Sequence, residues 1–92
     1  MKISDLNFVS ETPVTKTLKL NDVEYPINVR QLSCGDHLQV AAATVPRNMA
    51  LIARAIVFED GKQLTDEQAC RLDISTAAAL LDLIHEVNAP KN

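Results

Sequence analysis

The sequence has few aromatic residues, few glycines and few cysteines, and each shortage excludes a class of protein. Only Phe8, Tyr25 and Phe58 are aromatic among 92 residues, so the core must be built from aliphatic side chains. Two glycines leave no glycine-rich loop of the kind that cradles phosphates. Two cysteines, Cys34 and Cys70, do not form a disulfide framework, and we expect both to be free thiols in a reducing compartment.

Long hydrophobic runs and an excess of basic residues are also missing. The longest apolar run, over residues 49–58, is interrupted by Arg54 and is far shorter than the roughly 20 residues of a membrane span. No apolar segment follows residues 1–5, so no signal peptide is expected. The net charge of −3, with scattered Lys and Arg residues, argues against nucleic acid or an anionic membrane as the main partner. We therefore expect a soluble, cytoplasmic protein.

The apolar residues that are present make up 47% of the chain, enough for one compact core. Their spacing predicts an α+β fold, with an N-terminal β-hairpin followed by three to four α-helices in a small bundle. We expect residues 1–13 to be a flexible or extended N-terminal arm and residues 14–88 to form a single α+β domain. Residues 89–92 are expected to be a C-terminal tail.

Two segments of alternating polarity predict the hairpin. They are Val14–Leu20 and Val23–Leu32, and the two residues between them, Asn21 and Asp22, both tolerate the left-handed backbone of a tight turn. Pro26 has no N–H group to donate to a strand ladder. It therefore predicts an unpaired side or a bulge in the second strand.

Capping residues mark the beginnings of the helices. Ser33 is expected to cap the first helix, Thr65 the third, and Asp73 the last, which covers Ile74–Asn88. The second helix is expected over about Asn48–Glu59. An apolar stripe on the first helix is predicted to face the core, and it consists of Cys34, Leu38, Ala41, Ala42 and Val45.

Cysteine and histidine are the residues that could carry chemistry. Cys34 and His37 have the spacing of half a zinc site, but Cys70 and His85 are too far apart in sequence to complete a zinc motif. A Cys–His nucleophile pair would lack an oxyanion loop and an orienting Asn. We therefore expect a buried Cys34 thiol, a surface histidine, and no catalytic residue, metal or cofactor.

Two of the expected helices carry more apolar surface than a surface helix needs. Residues 48–59 are apolar nearly all round, and the apolar residues of the last helix fill about half of its circumference. These surpluses predict binding to other proteins, including self-association. Arg54 is either a side chain that lies along the edge of the core or an interface anchor. The residues expected to contact partners are Val40, Met49, Arg54, Ile74 and Leu83.

Several short sequence words follow one another from about Thr15 to Asn88 in an order that points to a family. A word of the type V-x-V-R-x-L-S leads into the first helix and is matched by Ile27, Val29, Arg30, Leu32 and Ser33. It is followed by the apolar word Leu51–Val57, the turn Asp60-Gly61-Lys62, the helix start Thr65-Asp66-Glu67-Gln68 and the closing Glu86-Val87-Asn88. Together these words resemble the tail-assembly chaperones of long-tailed bacteriophages, in their short form.

The resemblance implies a non-enzymatic protein of the infected bacterial cytoplasm. Such a chaperone binds the tape-measure protein, keeps it soluble, recruits tail-tube subunits and is absent from the mature virion. The family is often made in two lengths by a programmed frameshift, and Pro90-Lys91-Asn92 is compatible with a slippery A-AAA-AAC heptamer. The alternatives are a structural head–tail or tail component of the virion, an unrelated small protein-binding adaptor, or a small cysteine enzyme.

Overall fold

The computed structural model describes residues 1–89 and has the predicted α+β architecture, with one strand more than expected. A 3-10 turn over Ile3–Asp5 precedes a three-stranded antiparallel sheet, of order β1-β2-β3, and four helices. In chain order the elements are β1 (Val14–Leu20), β2 (Val23–Val29), α1 (Cys34–Ala42), α2 (Arg47–Ala55), β3 (Ile56–Val57), α3 (Asp66–Cys70) and α4 (Ile74–Asn88). The predictions on residues 90–92, which include the slippery sequence, lie outside the described residues.

The predicted hairpin is confirmed, including its turn. Leu20 pairs with Val23, and the two residues between them have positive φ angles, 51° for Asn21 and 63° for Asp22. Positive φ at both central positions defines the type I′ turn, whose twist matches that of the flanking strands. The second strand is shorter than predicted, since it ends at Val29 and residues 30–32 lead into α1.

The expected helix over residues 48–59 is wrong at its end, because α2 stops at Ala55 and the chain continues as a strand. Ile56 pairs with Val29 and Val57 pairs with Asn28. Both β3 residues are β-branched and suit a strand, and the open side of β2 offers them a ladder. The apolar run that resembled one long helix is therefore a helix followed by a strand.

Pro26 occupies the unpaired side of β2 that its chemistry predicts. The short β3 reaches only Asn28 and Val29, so within residues 1–89 no strand lies beside Pro26 on that side. A proline at an open strand edge costs no ladder hydrogen bond there. It also blocks simple edge-to-edge pairing.

The face of α1 that points inward is not the predicted one. Cys34 and Leu38 are exposed, and Val40 is buried instead. The reason lies at the first turn, where Asp36 accepts hydrogen bonds from the Ser33 backbone N–H at 2.9 Å and the Ser33 hydroxyl at 3.1 Å, and lies 3.4 Å from the Arg30 guanidinium. Because residues four apart share a helix face, the partners of Asp36 turn Val40 toward the core.

The three predicted helix caps are confirmed. The Ser33 hydroxyl accepts from the Asp36 N–H, the Thr65 hydroxyl from the Gln68 N–H, and the Asp73 carboxylate from the Thr76 N–H. The first two are reciprocal capping boxes. Each cap satisfies backbone donors that the first helical turn leaves free.

The core lies where α4 packs on β1 and β2 and where α2 packs on α4. The apolar surplus predicted for α2 and α4 is largely buried in this core rather than offered to a partner. The largest fully buried side chains are Val29, Ile52, Ile56, Leu80 and Ile84. No helix between residues 1 and 89 has the length and apolar character needed to cross a membrane.

Candidate protein-binding surface

The residues expected to contact partners do not form one surface. Val40 is only 2% exposed and belongs to the core, so its expected surface position is corrected. Met49 and Leu83 are half-buried and pack against the same core. Ile74, in the first turn of α4, is 88% exposed and is the one of the five whose apolar side chain is open to a partner.

Arg54 is bound within its own chain. Its guanidinium lies 2.7 Å from an Asp66 carboxylate oxygen and donates to the Ala50 carbonyl at 3.1 Å. This ion pair joins the last turn of α2 to the first turn of α3. Arg54 Nε is buried and has no hydrogen-bond partner within residues 1–89. Of the two expected roles for Arg54, the side chain at the edge of the core is the one with contacts in the structure.

The carbonyl groups at the end of α2 are held by two side chains from other elements. Arg30 donates to the Arg54 carbonyl at 2.8 Å, and Gln63 donates to the same oxygen at 2.9 Å. The Arg30 backbone N–H donates to the Ala55 carbonyl at 2.8 Å. These bonds satisfy carbonyls that a helix end leaves free and fix the point where helix becomes strand.

The outward face of α1 is an exposed apolar surface. Cys34, Leu38 and Ala41 lie at intervals of four and three residues, which places them on one side of the helix, and all three are exposed. Leu38 is 72% exposed. We call these three residues the α1 outer face. Periodicity did indicate an apolar stripe here, but it assigned the stripe to the core, because periodicity alone does not show which face is inward.

The N-terminal arm, residues 1–13, is a second exposed apolar segment. None of its residues is buried, although it carries half of the large exposed hydrophobic side chains of the described chain. These are Met1, Ile3, Leu6, Phe8 and Val9. The arm is attached to the body by a hydrogen bond from the Ser10 backbone N–H to Gln31 Oε1, at 2.7 Å. The apolar side chains of the arm therefore lie on its outside.

An open groove of about 540 Å³ lies beside the outer half of the hairpin. It begins where β3 ends and β2 continues alone, and the turn after β3 forms its other wall. That turn is closed by hydrogen bonds from the Phe58 N–H to the Lys62 carbonyl and from the Gly61 N–H to the Phe58 carbonyl. The groove lining is mainly apolar and consists of Leu18, Leu20, Tyr25, Pro26, Ile27, Phe58, Glu59 and Asp60. We call it the hairpin groove.

The cysteine and histidine side chains lie apart from these apolar surfaces, with the exception of Cys34. Cys34, predicted to be buried, is an exposed free thiol on the α1 outer face, and Cys70 is also exposed and free. His37 and His85 line a separate cleft of about 450 Å³ together with Arg47. Within residues 1–89 no group of three or more Cys, His, Asp or Glu side chains is arranged to hold a metal ion.

Two carboxylates have altered acidity for structural reasons. The Ser33 backbone N–H, helped by the Ser33 hydroxyl and the Arg30 guanidinium, lowers the pKa of Asp36 and outweighs the opposing effect of burial. The Thr76 backbone N–H lowers the pKa of Asp73 in the same way. Both groups cap helices, so these shifts reflect the fold rather than a reactive centre.

Sequence reasoning missed the hairpin groove, because it depends on a third strand that ends early. The arm was expected from the sequence, but the exposure of its five large apolar side chains was not. No family model, curated protein or solved structure matches this chain.

Proposed function

We propose that this protein is a non-enzymatic assembly chaperone that binds another protein through exposed apolar side chains. The observation that carries the proposal is the α1 outer face, where Leu38 is exposed between Cys34 and Ala41 on a helix whose opposite side holds the core residue Val40. An apolar helix face open to solvent is suited to packing against a helix of a partner. The role requires no catalytic residue, metal or cofactor.

The resemblance to the tail-assembly chaperones of long-tailed bacteriophages supports a specific client. We propose that the client is the tape-measure protein of the phage that encodes this chain, that tail-tube subunits are the second partner, and that the complex forms in the cytoplasm of the infected cell. A tape-measure protein that is long and helical would present repeated apolar faces, to which the α1 outer faces of several copies could bind.

The residues that carry the resemblance also have structural roles in the fold. Arg30 and Ser33 bind Asp36 in the first turn of α1, Gly61 has the positive φ of 80° that its turn requires, and Thr65 caps α3. Asn88 joins the end of α4 to the segment before α1. The resemblance thus concerns residues that fix turns and helix ends. These residues position α1 so that the α1 outer face points toward solvent.

The proposal is tested by co-expressing this chain with the tape-measure protein encoded in the same genome. We expect the client to remain soluble and to co-purify with the chain. Leu38→Asp should reduce the co-purified client at least tenfold, because a charge would be buried in an apolar contact. Gln39→Asp adds the same charge to an exposed position on the other side of α1 and should leave client binding unchanged. Ile74→Asp tests the other exposed residue in the same assay.

Two results would contradict the proposal. A client that is equally insoluble with and without the chain would exclude the chaperone role. Detection of the chain in purified virions by mass spectrometry, at the level of a tail subunit, would favour a structural component instead.

A further inference from the structure

We propose that the N-terminal arm of one copy binds in the hairpin groove of a second copy, and that the exchange is reciprocal, so that two copies form a closed dimer. This inference explains how copies of the chain associate. It rests on the proposed function only for its biological purpose, because the contact uses neither the client nor the α1 outer face.

The body covers the arm only in part, since Phe8 and Val9 line an open cleft with Leu32 and Val87 and still remain exposed. Residues 1–12 are all exposed, and they include the large apolar side chains of Ile3, Leu6 and Phe8. Phe8 is 74% exposed. Covering such a segment removes apolar surface from water. Exposed clusters of large apolar side chains therefore mark contact sites.

The hairpin groove offers matching chemistry at the opposite end of the molecule. The arm is held near the base of the hairpin, where Ser10 bonds Gln31, two residues after β2 ends at Val29. The groove is built on the outer half of the same hairpin, where Leu20 and Tyr25 lie near the turn. An arm that is fixed at one end of the hairpin is therefore directed away from the groove of its own chain.

The area of the contact favours a reciprocal exchange. Covering a Leu-sized or Phe-sized side chain removes roughly 100 Å² from water, so Ile3, Leu6, Phe8 and Val9 together remove roughly 400 Å². The groove exposes less area than the arm, so one arm in one groove buries roughly 500 Å², within the range of a crystal-packing contact. Two such contacts bury roughly 1,000 Å², the least that a specific interface needs.

The positions of arm and groove also determine the symmetry. Because they lie at opposite ends of one hairpin, two copies with antiparallel hairpins place each arm beside the groove of the other copy. The two copies are then related by a two-fold axis and form a closed dimer, in which both arms and both grooves are occupied. The aromatic ring of Tyr25, which is 47% exposed in the single chain, would be covered by the arm of the partner.

The first experiment measures the mass of the purified full-length chain by analytical ultracentrifugation over a concentration series, without any client. We expect the wild type to reach the mass of two chains. Phe8→Asp in the arm and Tyr25→Asp in the groove should each shift the dissociation constant at least tenfold toward the monomer. Leu38→Asp, on the α1 outer face, is the matched control and should dimerise like the wild type. Circular dichroism checks that each variant is folded.

The second experiment mixes Phe8→Asp with Tyr25→Asp. In a mixed dimer the intact arm of the Tyr25→Asp chain meets the intact groove of the Phe8→Asp chain. The mixture should therefore associate more strongly than either variant alone and more weakly than the wild type. Mixing distinguishes arm-in-groove pairing from a contact between two arms or between two grooves, which would not be restored.

Three results would overturn the inference. They are a wild type that stays monomeric at the highest concentration, a dimer that persists in both single variants, and a mixture that associates no better than its components. None of them bears on the co-expression test, because no client is present. Conversely, loss of client binding by Leu38→Asp with an intact dimer would leave this inference standing.

Discussion

At the scale of single residues, Asn88 links the last helix to the segment that precedes α1. Its amide oxygen accepts from the Leu32 backbone N–H at 2.7 Å, and its amide nitrogen donates to the Arg30 carbonyl at 3.1 Å and the Ile84 carbonyl at 3.0 Å. One half-buried side chain thus joins the last turn of α4 to the segment between β2 and α1. No local pattern indicates the contacts with Arg30 and Leu32, because these residues are more than fifty positions away in sequence.

Replacing Asn88 by Ala should destabilise the protein by about 2–3 kcal/mol. The substitution removes the side-chain partners of the Leu32 N–H and the Arg30 carbonyl in a half-buried site, and unsatisfied groups of this kind cost about 1–3 kcal/mol each. The free energy of unfolding, measured by urea denaturation, checks this. Asn48→Ala is the matched control, since Asn48 is exposed and its side chain has no hydrogen bond within residues 1–89. A change below about 0.5 kcal/mol at Asn88 would show that water replaces its amide.

At the scale of elements, α1 depends on the ionisation of Asp36. The pKa of this carboxyl is lowered from its ordinary value of 3.8, first by the Ser33 backbone N–H and then by the Ser33 hydroxyl and Arg30. A lowered pKa in the folded state means that the ionised form stabilises the fold. That contribution is complete above about pH 4 and is lost as the pH falls through the lowered pKa of the folded state.

We therefore expect Asp36→Asn to be less stable than the wild type by about 1 kcal/mol at pH 7, with a smaller difference at pH 2.5. Urea denaturation at the two pH values measures this difference. Asp73, whose pKa is lowered by the Thr76 N–H, remains in the variant and should leave some dependence on pH. Asp82→Asn, an exposed replacement on α4, should change the stability at pH 7 by less than about 0.5 kcal/mol. An equal loss at both pH values would contradict an ionised cap.

The elements also show which parts of the structure were predictable. Both hairpin strands, the turn at Asn21 and Asp22 and the three caps depend on neighbouring residues, and these predictions are confirmed, apart from the overlong end of β2. Strand β3 and the inward face of α1 depend on distant partners. The pairing of Ile56 with Val29 and the contact of Arg30 with Asp36 are invisible to periodicity. For the same reason the apolar surplus expected to face partners on α2 and α4 is largely buried in the core.

At the scale of the whole molecule, the chain consists of a packed body and a projecting arm. The radius of gyration is 14.0 Å, whereas a compact domain of this length has about 12 Å, and the longest dimension of 49 Å far exceeds the other two, 30 and 27 Å. The buried residues all lie between Leu18 and Ile84, so the core is complete without the arm. Folding and the proposed association then use different parts of the chain.

This division predicts that removal of residues 1–9 leaves the free energy of unfolding within about 0.5 kcal/mol of the full chain at low concentration, where both are monomeric. Ser10 and Gln31, which are joined by a hydrogen bond in the full chain, are both present in the shortened chain. At high concentration the midpoint of thermal unfolding should rise for the full chain, because dimerisation stabilises the folded state, and should stay constant for the shortened one. Calorimetry over a concentration series measures both quantities. A shortened chain that loses more than about 1 kcal/mol at low concentration would show that the arm packs on its own body, since surface changes alone have smaller effects.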